Sequence, residues 1–118
     1  MPEFIIEEPI YPYVRMTQKT KYTSPYAQMY LRNKGVLKFH LQQQMDAGEF
    51  SMFEHQPMGC DLSFNVEQMH KCDLDNLVKA VLDAAQGVVY TNDSWIDSIS
   101  ARRKLADRPR LIFEIWAL

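Results

Sequence analysis

The segment between residues 60 and 87 changes its apolar period once, and this change constrains the fold more than any other feature. In its first part, apolar residues alternate with polar ones: Cys60, Leu62, Phe64 and Val66 with Asp61, Ser63, Asn65 and Glu67. This two-residue period predicts a half-buried strand. Apolar residues then recur at helical spacing: Leu74, Leu77, Val78, Val81, Leu82 and Ala85. The pattern predicts a strand followed by a helix over about 75–86, which ends at Gly87 and covers one face of the sheet.

A first helix is predicted upstream, over about residues 25–46. Ser24 offers a side-chain oxygen for the cap, and Pro25 needs no amide partner at the first helical position. Tyr26, Tyr30, Leu37, Leu41 and Met45 recur at helical spacing, although Gly35 interrupts the run. Leu37, Phe39 and Leu41 also alternate with polar residues, so a strand at this position is the alternative.

The other segments complete one domain over residues 1–118. We expect a strand at 3–8, an irregular arm at 9–24, a connector at 46–57, and strands at 95–103 and 110–117 with an ADRP turn between them. The order β-α-β-α-β-β predicts an α+β fold: a single two-layer domain whose mixed β-sheet has two helices packed on one face.

Composition limits the class of protein. A chain of 118 residues has room for one hydrophobic core and not for a second. Apolar residues make up 47% and charged residues 24%, which is typical of a globular domain. No stretch approaches the roughly 20 apolar residues of a membrane span, and the N-terminal residues lack the features of a secretory leader. Cys60 and Cys72 form no CxxC pattern. We therefore expect a cytoplasmic protein without a thiolate zinc site.

The net charge of −2 by itself gives no support for nucleic-acid binding. However, this sum counts carboxylates as negative even where a bound metal ion would neutralise them. The basic residues also fall into groups, which could form local positive surfaces. These groups are Arg15, Lys19 and Lys21; Arg32, Lys34 and Lys38; and Arg102, Arg103, Lys104, Arg108 and Arg110. They are either DNA contacts or solvated surface.

Carboxylates concentrate in residues 73–93, DLDNLVKAVLDAAQGVVYTND. Asp73 and Asp75 lie at a helix start, and Lys79 and Asp83 follow at i+4 and i+8 from Asp75, on the polar stripe of the helix. Asp93 ends the following loop. Carboxylates without Cys or His nearby suit magnesium or manganese rather than zinc. The alternative is structural, with one Asp as a helix cap and Lys79 as an ion-pair partner of Asp75 and Asp83.

Residues 73–96, DLDNLVKAVLDAAQGVVYTNDSWI, resemble the signature of the RusA-type Holliday-junction resolvases, which are bacterial and prophage endonucleases. The matching residues are Asp73, Asp75, Asn76, Leu77, Lys79, Asp83, Gly87, Tyr90, Asp93 and Ser94. The resemblance continues more weakly through the last strands and back into the Ser24 helix.

The resemblance implies a magnesium-dependent endodeoxyribonuclease that resolves Holliday junctions in DNA recombination and repair. It implies that Asp73, Asp75 and Asp93 bind Mg²⁺, for which Mn²⁺ should substitute, and that Lys79 is catalytic. Asp83 and Asn92 are supporting residues, Asp83 through an expected i,i+4 contact with Lys79. The expected partners are branched DNA and a second copy in a homodimer, with no membrane. Candidate DNA contacts are Arg15, Lys19, Lys21, Lys71, Arg102 and Arg103.

Three departures and two alternatives accompany this hypothesis. Asn92 replaces the first acid of a usual pair, His70-Lys71-Cys72 replaces a more basic approach to Asp73, and the 46–57 connector is long for the family. DLDN also resembles the nucleophile motif of haloacid-dehalogenase-like phosphatases, but too little chain follows it for their larger sheet. The other alternative is a non-catalytic relative that binds branched DNA, or a structural or interaction protein.

Overall fold

The computed structural model describes residues 2–13, 24–68 and 73–118. The element order is strand β1 (Glu3–Ile6), helix α1 (Pro25–Ala47), strand β2 (Met58–Val66), helix α2 (Leu74–Ala85), a 3-10 turn (Asp93–Trp95), strand β3 (Ile96–Leu105) and strand β4 (Arg110–Ala117).

The four strands form one mixed sheet in the order β1-β4-β2-β3. β4 pairs antiparallel with both β1 and β2, whereas β2 and β3 are parallel. The parallel pair starts at Met58 opposite Ile96 and ends at Val66 opposite Leu105. Helix α2 is therefore the crossover that returns the chain from the end of β2 to the start of β3.

Both helices lie on one face of the sheet, as the sequence predicted. The buried side chains of that face alternate along the strands, and they pack with apolar residues of both helices. The strands contribute Phe4, Ile6, Cys60, Leu62, Phe64, Leu111, Phe113 and Ile115, and the helices Leu37, Leu41, Met45, Leu77, Val81 and Ala84. The predicted α+β class and element order are confirmed.

Helix α1 is continuous, so the predicted helix is confirmed and the alternative strand is not formed. Ser24 caps it by accepting a hydrogen bond from the Ala27 amide at 3.3 Å. Gly35 is tolerated because it lies on the exposed side of the helix, where no atom would contact an added Cβ within 4 Å. β1 ends at Ile6, two residues earlier than expected.

The first residues of the predicted arm are held in place by α1. Asn33 is the buried polar residue of the described chain, with 5% of its surface exposed. Its side-chain nitrogen donates to the Pro9 carbonyl at 2.8 Å, and its side-chain oxygen accepts from the Tyr11 amide at 3.2 Å. This buried amide therefore fixes the path of residues 9–13 along α1.

Within the described ranges, neither helix has the length and apolar content needed to cross a membrane.

Candidate active site

The N-terminal end of α2 presents two carboxylates. Asp73 is the N-cap residue, but its side chain makes no capping hydrogen bond. Asp75 lies in the first turn, and its Oδ1 accepts a hydrogen bond from the Asn76 amide at 3.0 Å. Both residues are exposed. The Asp73 side chain therefore does not cap the helix through a hydrogen bond, and its carboxylate faces solvent.

The two carboxylates lie on backbone of different conformation. Asp73 has extended dihedral angles, with φ −83° and ψ 146°, but the helix begins at Leu74 and Asp75 is helical. Both still lie within one turn at the same end of α2. Their oxygen donors suit a hard divalent cation.

Lys79 lies one turn further along the exposed side of α2. Its ammonium group is 4.1 Å from the centre of the Tyr13 ring, which is within the range of a cation–π contact. The Tyr13 amide donates a hydrogen bond to the Asn76 carbonyl at 3.1 Å, so the arm is fastened directly to α2. The Tyr13 ring also meets the edge of Tyr30, with 5.5 Å between the ring centres.

Asp83 has partners on α1 rather than the expected i,i+4 contact with Lys79. It accepts a short hydrogen bond from the Tyr30 hydroxyl, and Lys34 lies 3.1 Å from the same Oδ2 atom. Burial opposes the charge of this carboxylate, but the bonds from Tyr30 and Lys34 outweigh it and hold the pKa of Asp83 below its usual value. Burial, together with the bond to Asp83, raises the pKa of Tyr30. Asp83 therefore joins the two helices.

Asp93 lies at the other end of α2. Its amide donates to the Gln86 side-chain oxygen at 3.1 Å, directly beyond the last helical residue. Asn92, the second expected supporting residue, caps the 3-10 turn by accepting from the Ser94 amide at 2.9 Å. Both residues are exposed.

The loop that carries Asp93 is closely tied to its surroundings. Gly87 adopts φ +85°, a left-handed conformation that favours glycine. Tyr90 is fully buried, and its hydroxyl donates to the Leu82 carbonyl at 2.5 Å. Phe53, from the connector, exchanges backbone hydrogen bonds with Val89 and Thr91. One role of the long connector is therefore to hold this loop against the C-terminal end of α2.

The chain thus gathers Asp73, Asp75 and Lys79 at one end of α2 and places Asp93 at the other. Among residues 2–13, 24–68 and 73–118, no group of three or more His, Cys, Asp or Glu side chains is arranged to hold a metal ion. The donor chemistry at the N-terminal end fits Mg²⁺, but Asp93 does not complete that set within a single chain.

The candidate DNA contacts are only partly described. Arg15, Lys19, Lys21 and Lys71 lie outside the described residues. Arg102 lies on the sheet face opposite the helices and forms a two-pronged pair with Asp61, with N–O distances of 3.1 and 2.6 Å. Hydrogen bonds from Arg102 are the main reason that the pKa of Asp61 is lowered. Arg103 is half-buried on the helix-covered side, opposite Phe64.

Sequence reasoning missed the roles of Tyr13, Tyr30 and Asn33. Tyr30 was identified only as an apolar helix residue, and the signal for Asn33 was a polar residue within the buried stripe of α1. Tyr13 carried no recognisable signal, because its contact with Lys79 joins residues 66 positions apart in the sequence.

The comparisons with known proteins agree with the motif in residues 73–96. The family model for endodeoxyribonuclease RusA matches residues 11–116, which is nearly the whole chain. No curated protein matches the chain at a significant level.

Proposed function

Since the chain belongs to the RusA family of endodeoxyribonucleases, we propose that it resolves Holliday junctions by magnesium-dependent hydrolysis of phosphodiester bonds. The main observation in favour of metal-dependent hydrolysis is the N-terminal end of α2. There, two exposed carboxylates lie one turn from a lysine held over an aromatic ring. This arrangement joins cation-binding oxygens with a positive charge, which phosphodiester hydrolysis requires.

Each residue has a distinct proposed role. Asp73 and Asp75 would hold Mg²⁺ or Mn²⁺ through carboxylate oxygens. Asp93, the third proposed ligand, lies at the other end of α2, so it would have to come from the second chain of a dimer. A bound divalent ion supplies charge neutralisation at the phosphate and a more acidic water. Lys79 places a positive charge next to the scissile phosphate, where charge increases in the transition state.

Asp83 and Asn92 act at a distance from the reacting atoms. Asp83 fixes α2 to α1 through Tyr30 and Lys34, and Asn92 shapes the turn that begins with Asp93. Both are proposed as supporting residues rather than as ligands.

DNA binding is proposed to come from the basic groups, although the chain is acidic overall. Arg15, Lys19, Lys21, Lys71, Arg102 and Arg103 are the proposed contacts, through salt-dependent attraction to the phosphate backbone. Arg102 must share or break its pair with Asp61 before it contacts a phosphate.

The proposed active form is a homodimer, because a four-way junction is resolved by two cuts at symmetry-related positions. Sedimentation equilibrium at micromolar concentration should give twice the chain mass of 13.9 kDa. A monomer that still makes paired cuts would contradict this part of the proposal. The proposed setting is the cytoplasm of a bacterium, with the gene in the genome or a prophage, in DNA recombination and repair.

The decisive experiment incubates the protein with a synthetic four-way junction and with a linear duplex of the same sequence. In Mg²⁺ or Mn²⁺, we expect symmetrical paired cuts in the junction only, and in chelator none. Binding of the junction without cutting in any metal would favour the non-catalytic alternative. Hydrolysis of p-nitrophenyl phosphate without junction cutting would favour the phosphatase alternative.

A further inference from the structure

A cavity of about 370 Å³ lies at the edge of the sheet where β1 and β2 end. Both strands pair antiparallel with β4, so they run in the same direction and end at the same edge. One wall of the cavity is the arm after β1, residues 9–12, and the other is the end of β2 with the residues after it, 64–68. In open α/β sheets, ligands bind in crevices outside the carboxyl ends of the strands. The cavity therefore has the position of a ligand site.

This cavity lies beside the candidate active site. Tyr11 and Pro12 belong to its wall. The next residue, Tyr13, bonds to α2 at the Asn76 carbonyl, and its ring centre lies 4.1 Å from the Lys79 ammonium group. Successive Cα atoms are about 3.8 Å apart. A DNA strand with a phosphate at Lys79 therefore has its neighbouring nucleotide within reach of the cavity.

The lining combines apolar surface with three polar side chains. Tyr11 presents an aromatic ring and is 37% exposed, and three prolines, Phe64 and Val66 supply further apolar surface. The polar side chains are Asn65, Glu67 and Gln68. Across residues 2–13, 24–68 and 73–118, none of these three side chains has a hydrogen bond or an ion pair. Ligand sites have about 300–1,000 Å³, an apolar lining and a few such polar groups, so this cavity suits one small flat ligand.

The charge of Glu67 limits which ligand the cavity can bind. A carboxylate repels a phosphate, so the DNA backbone itself is excluded from the cavity. A carboxylate does accept a hydrogen bond from the amino group of a base, and Asn and Gln side chains also bond to base edges. Cytosine, adenine and guanine carry an amino group, whereas thymine has none. The lining therefore favours an amino-bearing base over thymine.

A second hollow, of about 520 Å³, adjoins the cavity and shares Asn65 and Pro109 with it. Its charged residues are two of each sign: Glu7, Asp107, Arg108 and Arg110. The arginines can contact a phosphate of a bound strand, but phosphate contacts carry no preference among bases. Glu7 is exposed, like Glu67, and lies outside the cavity. It therefore provides a matched control for Glu67.

We propose that the cavity receives one nucleobase of the junction, next to the phosphate to be cut, and that Glu67 selects a base with an amino group. This inference rests on the proposed function, since the same active site holds the strand beside the cavity. A base that leaves the stack is bound by aromatic stacking and by hydrogen bonds to its edge. Tyr11 supplies the stacking surface, and Asn65 and Gln68 supply further hydrogen-bonding groups. Unstacking costs least where a base is already poorly paired, as at a branch point.

Cleavage of a set of synthetic junctions tests the selection. The junctions have a fixed branch point and carry cytosine, adenine, guanine, thymine or no base at the nucleotide on one side of the cut, and then on the other. At one of these positions, the wild type should cut the preferred amino-bearing junction about 5- to 150-fold faster than the thymine junction. This range is the discrimination expected of one good hydrogen-bonded pair. The junction without a base should be cut as slowly as the thymine junction.

Two matched variants show whether the base is read in this cavity. Glu67→Gln should reduce the preference to about threefold or less, because an amide can also donate to a thymine carbonyl. Glu7→Gln changes the same charge outside the cavity and should keep the wild-type preference. Both positions are exposed, so both variants should fold. If both variants lose the preference equally, or if neither loses it, the proposal is overturned.

Photocrosslinking gives a readout that does not depend on cleavage. Iodocytosine or iodouracil, which differ in the amino group, replaces the base at the same position, and the complex is irradiated in chelator. Iodocytosine should attach to the peptide that contains Tyr11 at least about fivefold more than iodouracil does. Tyr11→Leu should remove this attachment, whereas Tyr26→Leu, at a position of α1 that is 75% exposed, should not. Attachment only outside residues 9–12 and 64–68 would overturn the proposal.

Failure of the proposed function has a different signature from failure of the base site. If the wild type cuts no junction in any metal, the proposed function is wrong, whatever the crosslinks show. If the wild type cuts all the junctions at equal rates and iodocytosine does not attach at Tyr11, the nuclease assignment stands and the base site is refuted. Equal rates with equal attachment of the two iodinated bases would refute selection by Glu67.

Discussion

The ammonium group of Lys79 lies 4.1 Å from the centre of the Tyr13 ring, although the two residues are 66 positions apart. Tyr13 is bonded to α2 at the Asn76 carbonyl and rests against Tyr30 of α1. The proposed catalytic lysine is therefore positioned by the N-terminal arm, which Asn33 fastens to α1.

The contact between the face of the Tyr13 ring and the Lys79 ammonium group should affect the cleavage rate, because it positions the lysine. Tyr13→Phe keeps the ring and should cut a four-way junction within about twofold of the wild type, whereas Tyr13→Leu should lower kcat about three- to tenfold with little change in KM. Phenylalanine derivatives with one, two or three fluorines at position 13 should lower kcat stepwise, because fluorine weakens the negative face of the ring. The measurement is the initial rate of junction cleavage over a range of junction concentrations, which gives kcat and KM.

The same derivatives at Tyr26, which is 75% exposed on α1, are the control and should leave the rate unchanged. If Tyr13→Leu lowers the rate but the fluorinated series is flat, Tyr13 acts by shape and not by its interaction with the charge.

The bond between Tyr30 and Asp83 should contribute to stability in a pH-dependent way. Tyr30 is 1% exposed, and Tyr30→Phe leaves the Asp83 carboxylate without this donor, so it should lower the free energy of unfolding by about 1.5–3 kcal/mol. Because the pKa of Asp83 is below its usual value in the folded chain, its contribution is complete above the usual carboxyl pKa. It is lost as pH falls through the lower, folded value.

Urea unfolding of the wild type and of Asp83→Asn between pH 7 and pH 2 measures this effect. The two curves should differ most near neutrality and converge in acid. Asp107→Asn, at an exposed position, is the control. A difference that stays constant to pH 2 would show that the charge of Asp83 is not the source of the stabilisation.

Lys79→Ala should abolish cleavage while the fold stays intact. Stabilisation of charge at the phosphate is worth several kcal/mol, so the rate should fall at least about 100-fold. The contact with Tyr13 contributes only about 0.5–1 kcal/mol to stability at an exposed site. Cleavage and thermal unfolding are measured together, with Gln43→Ala at an exposed position of α1 as the control. If loss of cutting follows loss of folded protein, Lys79 is a structural residue.

Asp75→Asn should separate cleavage from binding. The substitution keeps an oxygen that can accept the Asn76 amide bond made by Oδ1, but it removes one charge and one hard ligand. In chelator the wild-type carboxylates repel a DNA phosphate, so the variant should hold a four-way junction at least as tightly while it fails to cut. Gel-shift titrations with and without Mg²⁺ measure this. Weaker binding by a folded variant in chelator would contradict the proposed position of Asp75 beside the phosphate.

The order of the elements and the identity of the candidate residues follow from patterns within short stretches of the chain. The two-residue period from Cys60 to Val66 and the helical period that follows Asp73 each arise from neighbours in the chain. Such patterns are local, since side chains alternate on a strand and share a face every three or four residues on a helix. The family signature in residues 73–96 is local as well.

Which of these residues meet depends on how the helices and strands pack together. The parallel pairing of β2 and β3 places Asp93 at the opposite end of α2 from Asp73 and Asp75, although all three belong to one continuous motif. Asp83 contacts Tyr30 instead of Lys79 because α1 packs beside α2, and Lys79 meets Tyr13 because Asn33 directs the arm. These contacts join distant parts of the chain, and no periodicity within a segment specifies which distant segment packs against it.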